Sequence, residues 1–110
     1  MVLISQKNVE GCRWFEAAQS NVVIGFATAT LNGDTLNLDS IHVTPPNRCK
    51  GVGTQLLREV ISYGLQNGAD QLTGEFVPEY KGGRDEIAAR RFYERHGIAI
   101  DDNSKLFKKI

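Results

Sequence analysis

The chain has little of what staples or anchors a protein. Its two cysteines, Cys12 and Cys49, lie far apart with no CxxC pair and no Cys/His cluster, so neither a disulfide framework nor a structural metal is expected. No apolar run approaches the ~20 residues of a membrane span, which excludes a spanning helix and leaves no membrane partner expected. Thirteen Lys and Arg balance 13 Asp and Glu. That zero net charge offers no broad footprint for a polyanion, so nucleic acid is not expected as a main partner. The opening Met-Val-Leu-Ile-Ser-Gln lacks the basic segment and long apolar stretch of a secretory signal, and a reducing, cytoplasmic setting is expected. There is no internal repeat, low-complexity tract or Pro/Gly/Ser linker. What is present is 110 residues with 41% hydrophobic and 24% charged content. Those are globular values for one domain, residues 1–110.

The hydrophobic period changes once, near residue 50. Before it, Arg13-Trp-Phe-Glu-Ala-Ala, Asn21 to Thr30 and Thr35 to Val43 are rich in β-branched and aromatic residues. Gln19-Ser20-Asn21 and Asn32-Gly33-Asp34 separate them, and Asn-Gly is a strong hairpin signal, so an antiparallel meander of three strands is predicted. Pro45-Pro46 stops the third strand. Val52, Leu56, Leu57, Val60, Ile61 and Leu65 then recur at helical spacing up to an Asn67-Gly68 cap. Gln71 to Val77 reads as a short strand ended by Pro78. After a loop holding Lys81-Gly82-Gly83, a second helix is predicted from an Asp85 cap, carrying Ala88, Ala89, Phe92, Tyr93 and His96, to Gly97. Ile98-Ala-Ile and Leu106 to Ile110 are weaker strands. The expected fold is α/β, a mixed, mostly antiparallel sheet packed by helices in the order β-β-β-α-β-α-β.

The densest signal is Leu38 to Leu57. A strand passes through a short loop holding Arg48, Gly51 and Gly53 directly into an amphipathic helix. Free main-chain N–H groups at a helix start form an anion site, and glycines admit a phosphate close to the backbone. Lys50 precedes Gly51, so the G-x-x-x-x-G-K-[ST] loop of ATP-binding proteins does not fit. Leu56 stands where the dinucleotide fingerprint needs its third glycine. A nucleotide-binding regulatory domain using the same cradle therefore ranks low.

Arg48-x-x-Gly51-x-Gly53 after Ile41-x-Val43-x-Pro45 resembles motif A of the GNAT acetyltransferase superfamily. Ala89-Arg-Arg-Phe92-Tyr93-Glu-Arg-His-Gly97-Ile98 is similar to that family's later A-x-x-[LF]-Y-x-x-x-G-F segment, and the two together cover residues 21–98. The resemblance implies an acyl-CoA, acetyl-CoA or another, held where the motif A strand and the next one splay apart. Pantetheine would pair with Ile41, His42 and Val43. Main-chain amides of Arg48, Cys49, Lys50, Gly51, Val52, Gly53 and Thr54 would hold the pyrophosphate, and Glu86, Ala89, Phe92 and Arg95 would face the cofactor from the second helix. The Val43 amide would polarise the thioester carbonyl, and Tyr93 would protonate the departing thiolate. The family's strand carboxylate falls on Asn37, which cannot act as a base, leaving Asp39, His42 and Glu75 as candidates. Glu86 replaces an Asn that commonly contacts pantetheine.

The family usually places two helices between its first and second strands, and the stretch before Asn21 has no room for them. The acceptor site is then open or closed by a second subunit in a homodimer. The implied activity is acyl transfer from CoA to a small-molecule or peptide amine by direct attack. The alternative is a reduced module that binds acyl-CoA, or only a protein, without turnover. Cys49 reads as incidental. Arg84, Arg90, Arg91 and Arg95 could reach the 3′-phosphate of CoA, though a solvated face explains them as well, and Trp14, Phe15, Phe26 and Phe76 read as core.

Overall fold

The computed structural model describes residues 1–77 and 83–110. Seven strands, β1 (Leu3–Val9), β2 (Cys12–Gln19), β3 (Val22–Asn32), β4 (Thr35–Val43), β5 (Gln71–Glu75), β6 (Ala99–Ile100) and β7 (Lys105–Lys109), form one sheet in the order β1-β2-β3-β4-β5-β7-β6. Helix α1 (Val52–Gln66) links β4 to β5, and α2 (Gly83–Arg95) precedes β6. The predicted order is present with two strands more: Leu3–Val9 pairs antiparallel with β2 across a two-residue turn, and the last position holds both weaker candidates, β6 paired with β7. Glu10 and Gly11 have φ 49° and 84° in the turn between β1 and β2, the left-handed pair a tight hairpin needs. No helices stand between β1 and β2, as the length before Asn21 requires.

Only β4 and β5 run parallel, since a strand-helix-strand crossover returns the chain in the same direction. Both helices lie on one face. Val52, Leu56, Leu57 and Val60 of α1 pack on Phe15, Ala27, Leu36 and Leu38, and Ala89, Phe92 and Tyr93 of α2 close the same core. Burying such side chains contributes roughly 1.5–3 kcal/mol each for the larger ones. Gly64 brings α1 close to the sheet, since a β-carbon there would sit 2.7 Å from Leu36 Cδ2. Leu65, expected on the apolar stripe, is 50% exposed, because Gly64 holds the inward position beside it. Helix α2 starts at Gly83, which puts Asp85 in the first turn and not at the cap, and Ala88 faces solvent. Strand β5 ends at Glu75, short of the expected Val77. Pro78, Lys81 and Gly82 lie outside the described residues, as does the side chain of Arg84.

Phe15 and Phe76 are buried as expected, but Trp14 and Phe26 are not core residues. Strand alternation turns them to the sheet face that carries neither described helix, where they stay half-exposed.

Strand β4 changes face part-way along. Thr28 pairs with Ser40 and Ala29 with Leu38, so Asp39 is an extra residue, a β-bulge. Without it, Leu38 and Ile41 would point to opposite faces. With it, Leu36, Leu38, Ile41 and Val43 all face the helices, and Asn37, Ser40 and His42 face the open side.

Candidate functional site

The pairing of β4 with β5 runs from Thr35 and Gln71 to Leu38 and Gly74 and stops there, while β4 continues to Val43. Past that point the strands diverge around a cleft of about 740 Å³ whose lining includes Asp39, Ile41, Glu75 and Tyr93. The main chain of β4 is turned into this gap. Thr44 N donates to Ile24 O at 2.9 Å, and the alternation of an antiparallel ladder then directs the N–H and C=O of Val43 and Ile41 away from β3, toward the cleft.

The loop after β4 ends in a helix start without a cap. Cys49 and Gly51 have φ 62° and 83°, and Gly51 at the N-cap receives no side-chain bond. The first bond of the helical ladder is Gln55 N to Gly51 O at 3.0 Å, so the N–H groups of Val52, Gly53 and Thr54 precede it. Cys49, Lys50 and Gly51 are exposed. Such donors and the positive end of a helix suit an anion. The Arg48 amide instead donates to Pro45 O at 3.3 Å, so it is not among the donors of the loop. The Arg48 side chain acts as a brace, donating through Nε to Val43 O at 3.0 Å and reaching Asp85 at 3.9 Å.

Helix α2 supplies the opposite wall. The Phe92 ring lies against Gly53, where a β-carbon would meet Cε1 at 3.1 Å, so the glycine admits the ring. Thr54 Oγ1 and His96 Nε2 are 3.0 Å apart, tying the first turn of α1 to the end of α2. Burial first, then the charges of Arg95, Lys108 and Arg58, lowers the His96 pKa. Tyr93 stands edge-on to Phe76 and Phe92 at 6.0 and 5.4 Å, and burial raises its pKa. Its phenol therefore remains protonated at neutral pH.

The three candidate bases have different surroundings. Glu75 accepts from Lys105 Nζ, and that bond and charge hold its pKa below the ordinary carboxylate value. The His42 ring leans on Phe26 at 5.7 Å. Asp39, on the bulge, accepts from Thr30 Oγ1 and from Asn37 Nδ2, each at 2.6 Å. Asn37 in turn accepts from Thr73 Oγ1 at 3.0 Å, so a polar chain runs from β3 through β4 to β5.

The acetyltransferase (GNAT) family model matches residues 3–98. This chain belongs to the GNAT family. Its fold also matches solved GNAT structures. The IAA acetyltransferase from Bacillus cereus ATCC 14579 superposes with a TM-score of 0.82 at 15% identity, with 100% of both chains covered. A GNAT family acetyltransferase from Elizabethkingia anophelis with acetyl-CoA bound gives 0.79 at 13% identity over 99% of this chain and 98% of that one. The PaiA N-acetyltransferase from Thermoplasma acidophilum in complex with coenzyme A gives 0.76 at 19% identity, covering 91% of this chain and 62% of that one. No curated protein matches in sequence.

Against the GNAT expectation, the structure brings together Ile41, Val43, the loop from Cys49 to Thr54, Phe92 and Tyr93. Other expected residues stand apart. Glu86 faces Arg90 at 3.9 Å on the helix surface, and Arg95 is exposed. Ala89 packs against the core. The main-chain groups of His42 serve the β3 ladder, and its side chain is on the open face. The sequence reading missed the roles of Asn37 and Thr30 as holders of Asp39. No helix among the described residues is long and apolar enough to cross a membrane.

Proposed function

We propose that this chain, acting as one domain, transfers an acetyl or other acyl group from CoA to an amine by direct attack. One observation carries the reading: β4 and β5 part at Leu38 and Gly74, opening a cleft lined by Ile41 and Tyr93, while β4 runs on through Val43 to the loop before the uncapped start of α1. The residues present suit an acyl-CoA. The amides from Cys49 to Thr54, ahead of the first helical bond, match a diphosphate, and the edge of β4 beyond its pairing with β5 matches the amides of a pantetheine arm. When bound, it supplies an acyl carbon activated as a thioester.

The chain's residues then have distinct tasks. Val43 N–H faces the developing oxyanion, and a donor so placed is typically worth about 3 kcal/mol of barrier. Its carbonyl is engaged by Arg48, which holds the Val43–Thr44 peptide that follows. The protonated Tyr93 donates to the sulfur as the C–S bond breaks, stabilising the thiolate charge that develops there. Asp39 takes the proton of the acceptor ammonium, directly or through a water. Of the three candidate bases it is the one on the cleft lining not engaged by a cation, and Thr30 and Asn37 fix its orientation.

Titration calorimetry with acetyl-CoA, CoA and ATP, followed by thiol release with polyamines, lysine peptides and aminoglycosides, tests the reading. Acetyl-CoA is expected to bind, ATP not, and at least one amine to release thiol. Absence of acetyl-CoA binding at millimolar levels overturns it. Binding without release leaves a module that holds acyl-CoA, a reading favoured by Asn37 at the family's carboxylate position. A cytoplasmic setting suits the two free thiols.

A further inference from the structure

Both described helices cover one face of the sheet, and the other face carries a row of rings. Trp14 on β2 and Phe26 on β3 stack at 4.9 Å with planes 5° apart, and Phe26 meets His42 on β4 at 5.7 Å. All three are half-exposed. The row crosses the sheet one strand at a time and ends at β4, beside the cleft mouth, where β5 has already diverged. Two carboxylates stand along it: Glu16, paired with Phe26 and touched by Trp14 Nε1 at 3.4 Å, and Asp39 at the mouth.

We infer that this row is the seat of the acceptor, and that the acceptor is an arylalkylamine: its ring lies on Trp14, Phe26 and His42 and its ammonium points into the cleft at Asp39. The inference rests on the acyl-transfer reading and adds to it the class of amine. Ring on ring supplies the contact, since offset or edge-on aromatic pairs gain beyond the area they bury. The carboxylates match a cation. Asp39 lies opposite Thr28 and Ala29, two to three residues along β3 from Phe26, so the nitrogen is carried on an arm of at least two carbons from the ring. A second copy of the chain seated on this face would instead bury both carboxylates, at a desolvation cost.

Trp14 is the chain's single tryptophan, so its emission reports the row directly. The probes are 2-phenylethylamine and its saturated counterpart 2-cyclohexylethylamine, which has the same charge and reach without a flat ring. With CoA bound and no turnover, phenylethylamine is expected to change Trp14 emission saturably, at concentrations about five- to tenfold below those the cyclohexyl amine needs. In thiol release its KM is expected to be lower by the same factor. Phe26→Ala, or Phe26→Leu if the alanine variant does not fold, is expected to abolish that preference while leaving acetyl-CoA affinity unchanged. Equal behaviour of the two amines, or a preference that survives Phe26→Leu, overturns the inference while acetyl-CoA binding and release with other amines keep the acyl-transfer reading. Sedimentation showing a dimer that dissociates together with a shift in Trp14 emission also overturns it, because the row is then covered by a partner. Failure of acetyl-CoA to bind sinks the acyl-transfer reading itself.

Discussion

Gly74 is the last residue of β5 paired with β4, and its replacement tests the point at which the two strands part. A β-carbon built there lies 2.8 Å from the carbonyl oxygen of Leu38 and 3.2 Å from Leu106 Cδ1. An ordinary carbon-oxygen contact is about 3.3–3.6 Å, so the Leu38 backbone has to retreat by about 0.5 Å or more. Because the obstacle is main chain and not the end of a flexible side chain, the cost of Gly74→Ala belongs in the upper part of the about 1–3 kcal/mol range for overpacking. With an unfolding entropy of about 2.1 cal/mol/K per residue, a loss of about 2 kcal/mol lowers Tm by about 9 °C for a chain of this length. The same shift moves the cleft edge at Asp39 to Val43, so acetyl-CoA affinity is expected to fall as well. Calorimetric unfolding and acetyl-CoA titration of the purified variant measure both. If Tm stays within about 2 °C of the parent and affinity is unchanged, the close approach of β4 and β5 at the head of the cleft is wrong.

Tyr93→Phe removes only a hydroxyl, and kcat is expected to fall by about 10²–10⁴ with little change in acetyl-CoA affinity, as steady-state kinetics beside calorimetry reads directly. Asp39→Asn keeps the shape of the side chain but not its basicity, so kcat/KM in thiol release is expected to drop by a similar factor, about 10²–10⁴. The pKa of His96 is lowered from 6.5 in the folded chain, so the unfolded chain takes up the proton more readily; stability is full above 6.5 and declines as pH falls through the folded value. Denaturant melts from pH 7.5 down to 5 are expected to show that decline, and His96→Gln is expected to flatten it. Gly51→Ala meets no atom within 4 Å but keeps φ 83°, so it is expected to cost about 1 kcal/mol of stability through backbone strain alone, seen as a shifted urea midpoint with an unchanged slope.

Local patterning in the sequence determined much of this protein. The turn chemistry of Ser20-Asn21 and of Asn32-Gly33-Asp34, where Gly33-Asp34 makes the turn and Asn32 ends the strand, the 3.6-residue stripe from Val52 to Val60 and the Gly51-x-Gly53 loop act over a few residues, and each was legible locally. Tyr93 was legible for the same reason, through a short motif on a helix that the chain does build. Asn37, Thr30 and Thr73 were not legible as holders of a carboxylate, because hydrogen bonds between strands depend on register, and register is set by the whole sheet. Strand β1 went unread since its hydrophobic alternation is weak, and pairing with β2 supplies what its own residues do not. The bulge at Asp39 was decided by tertiary packing alone: two apolar pairs, the buried Leu36 with Leu38 and the partly buried Ile41 with Val43, are out of phase along β4, and only an extra residue between them lets both face the helices. That single displaced residue places Asp39 at the cleft and leaves Trp14, Phe26 and His42 together on the open face, which composition and period could not foresee.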